Sequence, residues 1–333
     1  METLVLDPAS VDDRTAAAWH DLHAVLEREE APADEPMGLE QLLLTARCPG
    51  LEEDTTRFLV VDGGRALAWA SVEVRDTEDN RHLAYVDGGV RPEDRRRGHG
   101  TSLLRRCAEV ARAAGRSKLY LVTVQGSAGD RFLAAAGATY VFLARVSRCL
   151  VADLDRGRLE EWARPRPGYT VLSWDSPTPD HLLDPYAQVL HVMNTAPLQD
   201  VDYEDEVITA DLVRGRERAI AERKATKWVA VARHDDTGAL VGLSELYFDG
   251  FRDERVEQWN TGVDPAHRGH GLGKALKAAN ALRLLDERPA ARFIDTENQD
   301  ENGPMLAIND AMGFRPHLRY REYQLPVADV LRG

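Results

Sequence analysis

Cysteine is scarce in this chain of 333 residues: Cys48, Cys107 and Cys149 are odd in number, widely spaced and include no Cys-x-x-Cys pair. Neither a disulfide framework nor a zinc site is indicated, and no metal is expected. Long apolar runs are also missing. Nothing approaches the roughly 18 residues of a membrane span. The N-terminus, Met-Glu-Thr-Leu-Val-Leu-Asp-Pro, lacks a basic region followed by an apolar stretch. The expectation is a soluble cytoplasmic protein with no membrane partner. Basic residues are outnumbered 42 to 56, for a net charge of −14, which argues against a nucleic-acid partner. A cationic substrate is favoured, although solubility explains such a charge equally well. What is present is 43% hydrophobic residues, enough to build two cores at this length.

One element occurs twice. Arg268-Gly269-His270-Gly271-Leu272-Gly273-Lys274 recurs upstream as Arg95-Arg96-Arg97-Gly98-His99-Gly100-Thr101, each copy reading Arg-x-x-Gly-x-Gly. Each follows a strand-like segment ending in Val-x-Pro (Val90-Arg91-Pro92; Val263-Asp264-Pro265) and opens an amphipathic helix. The Val, the Pro, the Arg and both Gly share an offset of 173 residues, an internal duplication that predicts two similar domains. Glycines remove the β-carbons that hold a ligand away, so successive N–H groups converge on one anion at the positive end of a helix. A pyrophosphate fits, with Arg96, Arg97 and Lys274 adding charge-assisted contacts. A Gly-rich turn before an ordinary helix is the alternative, and two copies in register weigh against it. The Rossmann pattern needs Gly where Lys274 and Leu103 stand, and the Walker pattern needs Gly where Arg268 stands.

Strand, Arg-x-x-Gly-x-Gly loop and helix, doubled, resemble the GNAT superfamily of acyl-CoA-dependent N-acyltransferases. The doubling is similar to its tandem members of the mycothiol synthase type. The likeness covers nearly the whole chain in element order, with its specific motifs in 90–104 and 263–309. It implies acetyl-CoA as cosubstrate, bound by Val90 and the loop from Arg95 to Thr101 in the first half. In the second half it implies binding by Arg268 to Lys274, with the pantetheine arm lying like an added strand along the main chain near Thr261 and Val263.

Periodicity agrees with two halves of the same design. In the first, 12–29 and 38–47 read as helices, 58–61 and 66–74 as paired strands, 82–90 as the strand entering the loop, and 119–124 as a buried strand. Leu103, Leu104, Cys107, Val110, Ala111 and Ala114 form the stripe of the post-loop helix, stopped at Gly115. In the second half, 181–193 and 209–224 read as helices, 228–233, 240–248 and 256–263 as strands, and 292–296 as a buried strand. Leu272, Ala275, Leu276, Ala279, Leu282 and Leu285 form its post-loop stripe. Residues 156–168 carry the Pro, Gly and charge of a linker, which puts the boundary near Pro165 and the domains at 1–160 and 166–333. The expected fold class is α/β (α+β): two domains, each a mixed, mostly antiparallel sheet flanked by helices.

Acetyl transfer to an amine needs a base for the ammonium proton, donors for the carbonyl oxygen and an acid for the leaving thiolate. The resemblance places a glutamate base six residues before the loop Val: Glu257 in the second half, Ala84 in the first. Glu245, on the preceding strand, is a second candidate, with Glu73 its approximate counterpart. Solvent exposure is the plain alternative for each. Backbone N–H groups around Val263, at a bulge, are implied for the carbonyl. The tyrosine that relatives place four residues before a helix-ending Gly is Asn309 here and Leu133 in the first half, which leaves Tyr247 or unassisted departure. Asn298, Asn302 and Asn309 are candidate coenzyme contacts, and the acids Asp295, Glu297, Asp300 and Glu301 would attract an amine or simply cap a helix. The resulting expectation is an N-acetyltransferase for a small cationic amine. The second half would be catalytic and the first a scaffold able to bind acyl-CoA, in a monomer or homodimer. A non-catalytic acyl-CoA sensor is the alternative from another class. Mycothiol synthase and an aminoacyl-tRNA-dependent transferase rank lower.

Overall fold

The computed structural model describes residues 1–48, 53–195, 201–299 and 302–332. The first elements are β1 (Glu2–Val5), α1 (Asp13–Glu30), α2 (Leu39–Arg47), β2 (Glu53–Asp62), β3 (Arg65–Arg75), β4 (Leu83–Val90), α3 (His99–Ala113), β5 (Lys118–Val124), α4 (Ala128–Ala135) and β6 (Thr139–Leu150). There follow α5 (Arg156–Trp162), β7 (Tyr169–Asp175), α6 (Asp180–Leu190), α7 (Ala210–Glu222), β8 (Thr226–His234), β9 (Leu240–Phe248), β10 (Arg255–Val263), α8 (Leu272–Glu287), β11 (Phe293–Gln299), α9 (Gly303–Met312), β12 (Arg315–Pro326) and α10 (Val327–Arg332).

The chain folds into two compact units. Unit 1 is Met1–Leu143, Gln199–Glu204 and Leu318–Gly333; unit 2 is Ala144–Leu198 and Asp205–His317. In unit 1 the strand order is β1-β2-β3-β4-β5-β12, antiparallel except for the β4–β5 pair. The alternation of β2 sends Leu59 and Val61 to a core with Trp19 and Leu22 of α1, and Phe58 and Val60 to a core with Leu103, Leu104 and Cys107 of α3. Asp12 starts α1 by accepting from the N–H groups of Arg14 and Thr15.

Unit 2 repeats the plan with order β6-β11-β10-β9-β8-β7, where β10 and β11 are parallel. Helix α8 and α5 pack on one face with Val256, Leu246 and Trp228, and α6 packs on the other with Val229, Val231 and Leu243. Of the expected stripe on α8, Leu272, Ala275 and Leu276 are buried and Ala279, Leu282 and Leu285 only half-buried, while Lys277, Ala278, Asn280, Ala281 and Leu284 are buried outside it.

Each sheet is completed by a strand from the other half of the sequence. Residues 320–326 of β12 pair with all of β5, and residues 144–150 of β6 pair with β11. Tyr323 and Leu325 enter the α3 core, while Arg148 forks onto Asp295 at 2.7 and 2.8 Å. The segment expected as a linker contains α5, started by the Asp155 side chain. Its Leu159 is 2% exposed, a burial that contributes about 1.5–3 kcal/mol. Pro165 therefore lies inside unit 2.

Candidate active site

Both Gly loops trace one backbone path. Helix α8 starts from Gly271 (φ 74°, ψ 15°) and α3 from Gly98 (φ 85°, ψ −3°), each left-handed. Two residues earlier Gly269 (φ 85°) and Arg96 (φ 64°) are left-handed too, a conformation that strains Arg96 by about 1–2 kcal/mol. Glycine caps supply no side-chain acceptor, so the first-turn N–H groups are offered to a ligand. Gly273 and Gly100 serve packing: an added Cβ would lie 3.6 Å from Ile308 and 3.4 Å from Phe132 respectively.

The motif arginines fold back onto the strand before the loop. Arg268 and Arg95 each donate Nε to the carbonyl of Val263 or Val90 at 3.0 Å. Arg268 also donates to Thr195 Oγ1 at 2.8 Å, and Arg95 to Glu29 at 2.7 Å. They brace the loop on the strand before it. Arg97 is held by Asp94 at 2.9 Å, His99 is buried, and His270 lies against the Tyr169 ring. Arg96, Thr101 and Lys274 are exposed; Lys274 Nζ stands 5.1 Å from the Trp162 ring centre.

Arg166 joins this loop although its place in the sequence pointed to a linker. A Cβ on Gly271 would lie 3.5 Å from Arg166 Nε, and that Nε is buried with no hydrogen-bond partner among the described residues. The guanidinium is fixed by donating Nη2 to the Trp162 carbonyl at 3.2 Å, and the remaining buried Nε, beside a helix N-terminus, suits a phosphate oxygen. The coenzyme's pyrophosphate thus fits the residues present.

Strands β10 and β11 run in register to Gln258↔Thr296, where their pairing ends. On its other side β10 matches β9 as Glu257↔Tyr247 and Gln258↔Leu246, then resumes at Thr261↔Ser244. Trp259 and Asn260 therefore oppose Glu245 alone, a β-bulge. In unit 1, β4 parts from β5 after Val86↔Leu121, but its ladder with β3 runs unbroken from Tyr85↔Glu73 to Val90↔Ala68. The missing bulge corrects the residue count: Tyr85, not Ala84, occupies the place of Glu257. Glu73 stands opposite it, where Tyr247 stands in unit 2.

Glu257 has 33% of its side chain exposed, with Arg255 Nε 3.6 Å away, and accepts from Trp259 Nε1 at 3.1 Å. Trp259, 40% exposed, stacks on Tyr247 with ring centres 4.4 Å apart and planes at 6°. Burial, then the nearby Glu257 and Asp249, push the Tyr247 phenol up to about 12. Glu245 differs from its expected role. It is 1% exposed and takes hydrogen bonds from Tyr186 Oη, from Lys227 Nζ at 2.8 Å and from Asn260 Nδ2 at 2.8 Å. Both of its oxygens are thus occupied, and the carboxylate ties α6, β8 and β10 together. Thr261 Oγ1 is 3.1 Å from Ser244 Oγ, on the opposite face of the sheet.

Asn309 is fully buried and donates to Asn298 Oδ1 at 2.6 Å, while its own Oδ1 has no partner among the described residues. Asn302 caps α9. Asp295 is neutralised by Arg148, Glu297 is exposed, and Asp300 and Glu301 lie outside the described residues.

A glycine-capped helix beside two parting strands, present twice, agrees with the comparison to known families: the model described as "Acetyltransferase (GNAT) family" matches residues 19–137 and 192–314. The chain belongs to the GNAT family. It is an acyltransferase of a family that uses acetyl-CoA and acts on small-molecule substrates. It is 28% identical over 314 residues to a mycothiol acetyltransferase of Saccharomonospora viridis, covering 86% of this chain and 94% of that one. To a mycothiol acetyltransferase of Clavibacter michiganensis it is 32% identical over 273 residues, covering 79% and 78%. A tandem GNAT protein from the clavulanic acid biosynthesis pathway superposes with a TM-score of 0.82 at 27% identity over 98% of both chains. A GCN5-related N-acetyltransferase from Sphaerobacter thermophilus shares the fold, with a TM-score of 0.68 at 18% identity over 98% of this chain and 95% of that one. Among the described residues no helix is long and apolar enough to cross a membrane.

Proposed function

We propose that unit 2 is an N-acetyltransferase for the primary amine of a small cationic molecule, with Glu257 as general base. The observation that carries this reading is the β10 bulge, which exists in unit 2 alone and sets Glu257 and Trp259 beside the gap between β10 and β11. Acetyl-CoA supplies the activated acetyl thioester. The N–H groups opening α8 and the guanidinium of Arg166 hold its pyrophosphate. Glu257 takes the proton of an ammonium whose pKa is about 10, and the Trp259 face packs against the acceptor's carbon skeleton or its charge. Backbone N–H groups released by the bulge stabilise negative charge on the carbonyl oxygen. Tyr247 is a poor acid for the departing sulfur. With its phenol near 12 and a thiol near 8.5, that transfer is uphill by about 5 kcal/mol, so the thiolate leaves without it. Unit 1 keeps the Gly loop and binds acyl-CoA without turnover.

Glu257→Gln tests the assignment. Thiol release from acetyl-CoA across a panel of amines should fall about 100-fold or more, with acetyl-CoA affinity retained; unchanged turnover would remove Glu257 as base. The mycothiol acetyltransferases match over most of their length, so their acceptor belongs in the panel as a second reading. A non-catalytic acyl-CoA sensor is the third, favoured by Asn309 and Leu133 where relatives carry tyrosine. Binding without turnover on every acceptor would select it.

A further inference from the structure

The polar cluster under the bulge is more than the catalytic assignment needs. Lys227 and Glu245 form an ion pair at 2.8 Å with 8% and 1% of their side chains exposed. Burying such a pair is expensive, and apolar residues of similar volume are commonly as stable or more so. Stability therefore does not explain its presence.

Unit 1 provides an internal control. By strand register, Lys227 opposite Tyr247 corresponds to Thr55 opposite Glu73. Glu245 corresponds to Ser71, and Gln258 to Val86. Where the three polar side chains are absent, the strand pairs without interruption; where they are present, it bulges. The bonds explain the association. Of the two residues opposing Glu245, Asn260 turns to Glu245 Oε2 at 2.8 Å, while Trp259 stacks on Tyr247. On the other face, Gln258 Nε2 donates to the Glu245 carbonyl at 2.6 Å and to Thr261 Oγ1 at 3.2 Å, a side-chain bridge across the interrupted register.

We propose that Lys227, Glu245 and Asn260 form a positioning network that locks the β10 bulge and so aims Glu257, Trp259 and the bulge N–H groups. Tyr186 closes it from α6 by donating to Glu245. The three side chains act at one remove: none is assigned to the reacting atoms, and Asn260 enters the site only through its backbone N–H. The ion pair keeps the Glu245 charge in place, and that charge keeps Asn260 turned in. The catalytic consequence rests on the reading of unit 2 as an acetyltransferase; the conformational one does not.

The test is the double variant Lys227→Met/Glu245→Leu beside Asn260→Ala, each followed by urea unfolding, acetyl-CoA titration, turnover and amide hydrogen exchange at residues 259–261. The network predicts a double variant that stays folded, with a urea midpoint lowered by the two donors left without Glu245, Tyr186 Oη and Asn260 Nδ2, and an acetyl-CoA Kd within twofold. Its kcat should fall about 30-fold or more, and exchange at 259–261 should be at least tenfold faster. Asn260→Ala should reproduce the kcat and exchange changes. A purely structural role would move the urea midpoint and leave kcat and local exchange alone, which overturns the proposal. Should the native protein acetylate no amine in the panel, the function assignment fails while exchange at 259–261 still decides the network: unaltered exchange in both variants refutes it.

Discussion

Replacing Gly271 with glutamate strikes the second loop where its backbone is left-handed and a helix begins. At φ +74° a side chain strains the chain by about 1–2 kcal/mol. An added Cβ meets nothing nearer than Arg166 Nε at 3.5 Å, an ordinary contact, so a domain stable by about 5–15 kcal/mol remains folded. Binding suffers far more. A carboxylate about 5 Å from a phosphate charge, at an effective dielectric near 20, repels it by about 3 kcal/mol. Losing part of the helix-end attraction adds about 0.3–1 kcal/mol, and the new carboxylate competes for Arg166. Together these weaken acetyl-CoA binding at this loop by two to three orders of magnitude, at about 1.4 kcal/mol per decade. Calorimetric titration reads the effect as loss of the unit 2 binding event, with Gly271→Ala as the strain-only control expected to lose less than tenfold. A folded Gly271→Glu protein with the native isotherm would refute both the pyrophosphate assignment and the electrostatics behind it.

Three further outcomes are expected. Lys277 is buried in α8, and desolvation pushes its amine down to about 7 from 10.5; because the unfolded chain then holds the extra proton between those values, stability rises with pH across that window. Lys277→Met should be more stable than native by up to about 5 kcal/mol at pH 6, the gap closing by pH 10, and parallel urea midpoints from pH 6 to 10 would contradict this. Gly250→Ala places a Cβ 2.1 Å from the Lys224 carbonyl oxygen, where no flexible side chain can yield; a loss of about 2–3 kcal/mol is expected in thermal unfolding, and a neutral effect would show that the close approach relaxes freely. Residues 1–160 alone lack Leu318–Gly333 and so the strand that covers β5; they should melt without cooperativity by calorimetry, and appending 318–332 through a flexible linker should restore it.

Much of this fold is legible in the sequence because its signals are local. The post-loop stripe of Leu103, Leu104, Cys107 and Ala111 is a period-3.6 pattern that any core must cover. The left-handed positions at Gly98 and Gly271 are ones glycine tolerates best. Residues 156–168 misled because Arg and Pro dominate them, while burial of the single Leu159 holds α5. Lys277 and Asn280 show the converse, since a buried helix accepts polar side chains when the stem or a partner satisfies them. Asn280 donates to the Ser244 carbonyl at 3.0 Å. Arg166 carries no spacing signal, being about a hundred residues from the loop it approaches. Counting back from Val90 assumed a bulge that unit 1 lacks, a one-residue slip that reverses which face a side chain takes.

The two halves share the loop path and differ at the bulge: β4 pairs regularly with β3 where β10 is interrupted against β9. Tyr85, Val86 and Thr55 stand in the first half where Glu257, Gln258 and Lys227 stand in the second, and a regular ladder needs no polar brace. Each half also supplies a strand that the other needs. Residues 320–326 pair with β5 and residues 144–150 pair with β11, so removing either half of the sequence strips a strand from the sheet that remains and exposes an unpaired edge. The first half thereby contributes to the second fold whatever its own chemistry, and Arg148, sequence-distant from Asp295 yet forked onto it, is where that dependence reaches the face that carries Glu257.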